Sequence, residues 1–444
     1  MTDTIAAIST GLVPSGVAVI RVSGKDSLAV AEKVFKPTGK TSVKDFEPNK
    51  MYVGEIVADG FTDFGMCVYF KAPKSFTGED SVELHCHGGL AITKGVLRSV
   101  LSSGARIAAN GEFTRRAFMN GKLSLSSAEG LIDMINSESE SGVKAGYYLY
   151  REKLTAEIER MQNLLTDALS EIDADMDFPE EDLDVKSRET AEKTLKEVTE
   201  KISALLKTYR GGRIIKDGVK VAIAGKPNTG KSSLLNALLD YDKAIVSSVA
   251  GTTRDVVEGK ISYKGVNFFF FDTAGIRESG DEIEQIGVGL SKKITDSADL
   301  IVFVVDGSDI SSDDEEIYND IKDKNLLVVL NKSDVGEFFY EKADIKVSAK
   351  EKINLDGLKE CIYNKTVGNG IDLNGDFICE ERHFEALKRA YESLSFALSS
   401  VKTLPLDLLS VDVKDGWDAL GEISGKTASE EIIDNIFSRF CVGK

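Results

Sequence analysis

Apolar and polar positions follow three different rhythms along the chain. Up to about Asn120, short β-branched runs (residues 17–22, 51–57, 66–70 and 81–87) stand between glycines. Runs of that length predict strands, and residues 27–34 and 92–102 predict helices between them. The expected unit is a small α+β domain. From about Lys122 to Arg210 glycine is sparse, and Leu154, Ile158, Met161, Leu164, Leu165 and Leu169 recur at helical spacing. Residues 190–206 repeat that rhythm. Between the two blocks, residues 173–184 are dense in carboxylates and broken by Pro179, which predicts a solvated loop. From about Gly218 to Gly368, strand-like runs (219–224, 268–271, 300–305, 326–330, 345–347) alternate with helical stretches. That alternation predicts a doubly wound parallel sheet with helices on both faces. The helical rhythm returns over residues 381–401 and 415–440. Two helical blocks around an α/β segment predict one helical domain carrying an insertion, since joining an insertion by loops costs little closure entropy.

Composition narrows the class. At roughly 100–200 residues per domain, two to four domains are expected of this length. A chain of 444 residues that is 42% hydrophobic and 29% charged can bury real cores and is neither disordered nor collagenous. Its 55 Lys+Arg against 73 Asp+Glu leave a net charge of −18, which argues against a protein that coats nucleic acid by charge alone. No apolar run reaches the ~20 residues that a membrane helix needs. The N-terminus lacks a basic segment leading into an apolar stretch, and the cysteines (Cys67, Cys86, Cys361, Cys379, Cys441) include no C-x-x-C pair. A cytoplasmic protein with reduced thiols, away from membranes, is expected. His85-Cys86-His87 has the residue types of a metal site, but its alternation on a strand fits a structural role better than zinc.

The strand at 219–224 runs into Gly225-Lys226-Pro227-Asn228-Thr229-Gly230-Lys231-Ser232 and then into a helical stretch that begins at Ser233. This is G-x-x-x-x-G-K-[ST] in the strand–loop–helix setting that the motif requires. Gly225 and Gly230 let the backbone wrap phosphates, Lys231 reaches the β- and γ-phosphates, and the Ser232 hydroxyl ligates Mg²⁺. Downstream, Asp272-Thr273-Ala274-Gly275 offers a carboxylate for the metal and an N–H for the γ-phosphate. Thr252 and Thr253, in Gly251-Thr252-Thr253-Arg254-Asp255, each offer a hydroxyl that can close over Mg²⁺. Asn331-Lys332-Ser333-Asp334 ends with a carboxylate that can accept from guanine N1–H and its exocyclic amine, donors that adenine does not present together. Ser348-Ala349-Lys350 supplies a backbone N–H for guanine O6. These ordered motifs define a GTPase domain.

Hydrolysis needs another explanation than in Ras-like proteins. Where those place a water-orienting glutamine, this chain has Ile276, so that role moves to a residue such as Glu282 or Glu284. Arg254 and Arg277 are present, but neither marks an arginine finger. A transition-state arginine supplies about 10³–10⁵ in rate, roughly 4–7 kcal/mol. A monovalent cation beside the phosphates can replace much of it, and Asn228 has a side-chain oxygen to help bind one.

The chain as a whole resembles the MnmE (TrmE) family of tRNA-modification GTPases. The resemblance rests on Phe76-Thr77-Gly78-Glu79-Asp80, His87-Gly88-Gly89, the run from Gly111 to Phe118 (Gly-Glu-Phe-Thr-Arg-Arg-Ala-Phe), Asn120-Gly121-Lys122-Leu123, Asp177-Phe178-Pro179, the GTPase motifs and the closing Cys441-Val442-Gly443-Lys444. It implies an N-terminal folate-binding and dimerisation domain (1–120), a helical domain (121–216 and 373–444) and an inserted GTPase domain (217–372). It further implies a homodimer that joins the flavoprotein MnmG (GidA) as a heterotetramer. Together they add a carboxymethylaminomethyl or aminomethyl group at C5 of the wobble uridine of certain tRNAs, with a tetrahydrofolate derivative (5-formyl or 5,10-methylene) as one-carbon donor. By motif, Arg21, Glu83, Lys122 and Lys444 would contact the folate. Asn228, Ser247, Val249 and Thr252 would hold K⁺, Ser232 and Thr253 would hold Mg²⁺, and Glu284 would orient water. The nucleotide set comprises Asn228, Thr229, Gly230, Lys231, Ser232, Ser233, Ser247, Ser248, Val249, Ala250, Gly251, Thr252, Thr253, Asp272, Thr273, Ala274, Gly275, Asn331, Lys332, Ser333, Asp334, Ser348, Ala349 and Lys350. A thiol so near the end makes Cys441 a candidate reactive group. The stretch Thr10–Gly16 carries fewer glycines than the turn common in the family. For a tRNA enzyme this acidic, the partner is expected to supply much of the basic surface, with Arg115, Arg116 and nearby lysines forming a local patch.

Overall fold

The computed structural model describes residues 3–177, 184–241, 259–272, 296–368 and 376–443. It forms two compact units interleaved in sequence: Met1–Ile132, Tyr148–Val198 and Arg389–Lys444 in the first, Asp133–Tyr147 and Thr199–Lys388 in the second.

In the first unit, β1 (Ile5–Ile8), β2 (Ser15–Ser23), β3 (Phe35–Pro37), β4 (Met51–Ala58), β5 (Phe61–Phe70), β6 (Ser81–Gly88) and β7 (Arg106–Ile107) form one sheet ordered β3-β4-β5-β6-β2-β1-β7. Its pairings are antiparallel except β1 with β7. Alternation along β2 and β6 sends Ile20, Val22, Val82 and Leu84 into a core shared with α1 (Ser27–Val34) and α2 (Leu90–Ser102). Arg21 and Glu83 therefore take the other face, where Ile5, Ala7, Ala108 and Phe113 form a smaller cluster. Short strands β1, β3 and β7 escape the sequence reading because runs of two to four residues carry too little pattern to register.

Ahead of the predicted helical block stands a helix that the sequence pattern did not mark, α3 (Glu112–Met119), and the block itself resolves into α4 (Leu125–Asn136), α5 (Glu140–Tyr150), α6 (Lys153–Asp177) and α7 (Asp184–Asp217). The predicted loop at 173–184 is corrected at its start. Helix α6 continues to Asp177 because Ile172 stays buried while most of the carboxylates face outward.

The second unit builds the predicted parallel sheet from β8 (Val219–Ala224), β9 (Gly259–Tyr263), β10 (Val266–Asp272), β11 (Leu300–Asp306), β12 (Leu326–Asn331) and β13 (Ile345–Lys346). The order is β13-β12-β11-β8-β10-β9, parallel apart from the antiparallel β9·β10 pair. Every residue of β11 is buried, and apolar clusters cover both faces, as a central parallel strand requires. Its remaining helices are α8 (Lys231–Tyr241), α9 (Ser312–Ile321) and α10 (Leu355–Thr366).

The C-terminal helices are α11 (Glu381–Ser400), α12 (Leu406–Ser424) and α13 (Glu430–Ser438). The single helical stretch expected over 415–440 is thus two helices. The chain turns at Gly425, whose φ of 96° only glycine adopts cheaply, and Ser429 caps α13 by accepting from Ile432 N–H. Among the described residues no helix is long and apolar enough to cross a membrane.

Candidate functional site

The phosphate loop joins β8 to α8 at the C-terminal edge of the sheet, where open α/β sheets bind ligands. Gly225 and Gly230 have φ of 146° and 91°. A Cβ on Gly225 would lie 2.3 Å from the Val304 carbonyl, and one on Gly230 would lie 2.4 Å from Asn331 Nδ2, so both positions exclude side chains. Thr229 Oγ1 donates to the Lys226 carbonyl at 3.0 Å. Lys231 Nζ donates to the carbonyls of Gly225 at 2.9 Å and Lys226 at 2.8 Å, so its ammonium lies within the loop. Asn228 is exposed at positive φ, and Ser232 and Ser233 are exposed on the first turn of α8.

Asn331 ties the end of β12 to that loop. Its buried amide donates to the Thr229 carbonyl at 2.9 Å, and its Oδ1 accepts from Ala349 N–H at 3.0 Å. One side chain thus ties the phosphate loop, the end of β12 and the Ser348–Lys350 segment together. The Ala349 amide is engaged here, a detail the motif alone does not give. Lys332 Nζ is 2.5 Å from Asp306 Oδ2, and Ser333 N–H donates to the Val347 carbonyl. Asp334 is exposed and accepts from Ser348 Oγ at 2.5 Å. That hydroxyl holds the carboxyl below the usual carboxylate range, so it is ionised and aimed.

Asp272 ends β10, paired in register with Ile223 of β8. Ser247, Ser248, Val249, Ala250, Gly251, Thr252, Thr253, Thr273, Ala274, Gly275 and Glu284 lie outside the described residues, as do Glu282, Arg254, Arg277 and Lys444.

Of the N-terminal set, Arg21 and Glu83 share the face opposite the main core. Arg21 and Glu83 are cross-strand partners, and Arg21 Nε and Nη2 approach Glu83 Oε1 at 3.0 and 2.9 Å. Just after the glycine-poor turn the β2·β6 register shifts between Ser15 and Ala18, and pairing is regular from Ala18 through Arg21. Its guanidinium lies 5.2 Å from the ring centre of Phe76 and 5.8 Å from that of Phe113. His85 Nε2 is 3.5 Å from Glu83 Oε2, and this imidazole, followed by Arg21, holds the Glu83 carboxyl below its ordinary range against the effect of burial. Lys122 Nζ donates to the Pro73 carbonyl, on the loop that carries Phe76. Residues 441–443 are anchored: Val442 bridges Asn110, and the Gly443 carbonyl accepts from Ser9 Oγ. Gly443 thereby lies next to the end of β1, whose Ala7 pairs with Arg21. Around Arg21 and Glu83 the structure adds Phe76, Phe113 and His85, which the sequence did not assign to this cluster. The signal was available, since His85 follows Glu83 at the strand period and both phenylalanines lie in motifs of the resemblance.

The His85-Cys86-His87 run splits as alternation demands. Cys86 points into the core, while exposed His87 meets Asp63 at 2.7 Å.

The expected basic patch at Arg115 and Arg116 is overturned at Arg116, while Arg115 stays partly exposed. Arg116 is 1% exposed and donates to Asp3, Glu79 and Glu112 at 2.9–3.1 Å. Arg115 pairs with Asp434 and Glu430. Arg116, buried in so dense a network, is held by its partners and does not face a ligand. Arg106 adds a two-pronged contact to Glu112 at 2.6 and 2.8 Å. Although burial opposes it, the Arg106 and Arg116 contacts bring the Glu112 pKa down from 4.5 to about 2. A depressed carboxylate stabilises the fold above its unfolded pKa, and that contribution fades as pH falls from 4.5 toward about 2. A shift of this size corresponds to about 3 kcal/mol. Glu112→Gln is expected to unfold at lower temperature than the parent at pH 7, with the two converging near pH ~2. Melting curves at both pH values check this, and a constant gap would refute it.

Two family models match the chain: "MnmE helical domain" over residues 125–441 and "GTP-binding protein TrmE N-terminus" over residues 4–122. Similar curated relatives include the tRNA modification GTPase MnmE of Clostridioides difficile (strain 630), 38% identical over 100% of this chain and 99% of its own. The protein of the same name from Natranaerobius thermophilus is 40% identical, with the same coverage. Among solved structures, a point variant of Aquifex aeolicus Era bound to GDP·AlF4⁻ is 30% identical, covering 39% of this chain and 66% of that one at a TM-score of 0.28.

Proposed function

The chain belongs to the MnmE family of tRNA-modification GTPases, and from that premise we propose that it couples K⁺-stimulated GTP hydrolysis to one-carbon chemistry at C5 of the wobble uridine of certain tRNAs. GTPase activity in tRNA modification comes with the family. The finer reading adds the flavoprotein MnmG, a homodimer that joins it as a heterotetramer, a tetrahydrofolate derivative as donor, and action in the cytoplasm. Its domain plan is 1–120 for folate and dimerisation, 121–216 with 373–444 as the helical domain, and 217–372 for GTP. The division of the matched family models between residues 122 and 125 supports the first boundary.

The residues fit their assignments chemically. Asn228 presents an amide on an exposed stretch of the phosphate loop, suited to an alkali cation, with Ser247, Val249 and Thr252 as its proposed companions. Ser232 and Thr253 would hold Mg²⁺. Bound cations would supply positive charge where the leaving phosphates gain negative charge. Lys231 binds the β- and γ-phosphates, Asp334 reads guanine N1–H and its amine, and the Lys350 amide serves O6. Glu284 holds the attacking water in line.

The observation that carries the folate reading is the Arg21–Glu83 pair, with the Phe76 and Phe113 rings against the guanidinium. A pterin has a flat ring for aromatic faces and an amide-like edge for a carboxylate, and its anionic tail suits Lys122 and Lys444. The test is incorporation of labelled one-carbon units into unmodified tRNA with the flavoprotein, GTP and a folate donor. For Glu83→Gln, incorporation is expected to fall ~10–100-fold, the loss of one charged hydrogen bond, with GTP turnover unchanged. Undiminished incorporation would contradict the folate site. No incorporation by the parent, with normal GTP turnover, would favour a GTP-controlled assembly factor instead.

A further inference from the structure

The phosphate loop holds a second lysine that its motif does not require. Lys226 Nζ lies 3.0 Å from Asp314 Oδ2, 3.1 Å from Ser311 Oγ and 3.2 Å from Asp309 Oδ2, and it also donates to the Asp309 carbonyl. Asp314 is wholly buried in the first turn of α9, where Oδ2 also accepts from Ser311 N–H at 3.0 Å in a capping box. Its second oxygen, Oδ1, is buried without a hydrogen-bond partner. A carboxylate so placed is tolerated only with a cation against it, and Lys226 is that cation.

The other end of Lys226 faces the nucleotide. Its carbonyl accepts from both Lys231 Nζ and Thr229 Oγ1. Gly225, just before it, rests on the Val304 carbonyl of β11. One residue is therefore gripped by α9 at its ammonium and by the phosphate-loop side chains at its carbonyl. The segment leaving β11 also carries Asp306, which holds Lys332. Residues 306–314 thus brace both ends of the nucleotide site without belonging to its motifs.

We propose that Lys226 is a positioning residue for GTP: clamped to buried Asp314, it sets where its carbonyl holds Lys231 and Thr229, and so pre-shapes the phosphate loop without touching phosphate. Three side-chain acceptors and a carbonyl already occupy its ammonium. A pre-formed loop spares the ordering that binding would otherwise require, so the effect falls on nucleotide affinity and not on the chemical step.

Steady-state GTP turnover and GDP binding test this in the full chain. Lys226→Met is expected to raise KM for GTP about tenfold and weaken GDP binding equally, with kcat within about twofold of the parent. Lys226→Arg, which keeps the cation, brings KM back to within about threefold. Asp314→Asn moves KM in the same direction, and the double variant Lys226→Met/Asp314→Asn is no worse than Lys226→Met alone, because both act through one contact. If Lys226→Met fails to fold by its melting curve, Asp314→Asn and Lys226→Arg still decide. A fall in kcat at constant KM with Asp314→Asn silent would overturn the proposal in favour of direct phosphate contact. Independent, additive effects, or no effect of Asp314→Asn on KM, would overturn it as well.

Discussion

Asp334→Asn is expected to weaken GTP binding by ~10²–10⁴-fold and to restore binding to xanthosine triphosphate. The magnitude follows from two charge-assisted hydrogen bonds to guanine, each contributing about 1.5–3 kcal/mol. Ser348 Oγ, 2.5 Å from Asp334 Oδ1, aims the carboxylate before any base arrives, so little ordering remains to offset that gain. The reversal follows from the edge chemistry. An asparagine amide donates to the C2 carbonyl that xanthine carries where guanine has an amine, and its oxygen still accepts from N1–H. Equilibrium titration with both nucleotides checks the exchange. Unchanged GTP affinity would remove Asp334 from base recognition, and equal losses for both nucleotides would mean that the substitution had damaged the loop.

Exchanging K⁺ for Na⁺ at constant ionic strength is expected to slow GTP turnover about 10²-fold, a modest part of the ~10³–10⁵ that a transition-state arginine supplies elsewhere. The reason lies in what the chain lacks. Ile276 cannot polarise water, and the motifs mark no arginine finger, so the proposed mechanism assigns the positive charge at the breaking phosphate bond to a bound ion. Asn228 stands exposed on the phosphate loop at φ 64°, the only residue of the proposed cation set within the described residues. Na⁺ carries the same charge on a smaller ion, so a site shaped by the longer oxygen distances of K⁺ holds it poorly.

The phosphate loop was legible in the sequence because it is one contiguous motif between a strand and a helix. Gly225 and Gly230 announce a tight wrap, and the structure adds the reason, a carbonyl and an amide standing where their side chains would be. What the sequence hid were contacts between segments far apart in the chain, such as Asn331 bridging to Thr229 and Ala349, or Lys226 reaching Asp314. Arg116 was misread for a related reason. Two adjacent arginines look like an exposed patch until folding brings Asp3, Glu79 and Glu112 around one of them. Arg21 and Glu83 were associated in the sequence only through the resemblance, and cross-strand register, which the sequence pattern does not specify, makes them partners. Helix limits depended on single residues: the turn at Gly425 divides what reads as one amphipathic run.

The most direct test of the account is the initial rate of GTP hydrolysis by the parent and by Asn228→Ala, titrated with K⁺ against a Na⁺ background at saturating GTP. The account predicts a steep, saturable rise for the parent and a flat, low rate for Asn228→Ala, with GTP affinity retained in both. Equal rates in K⁺ and Na⁺, or an undiminished rise in Asn228→Ala, would contradict it.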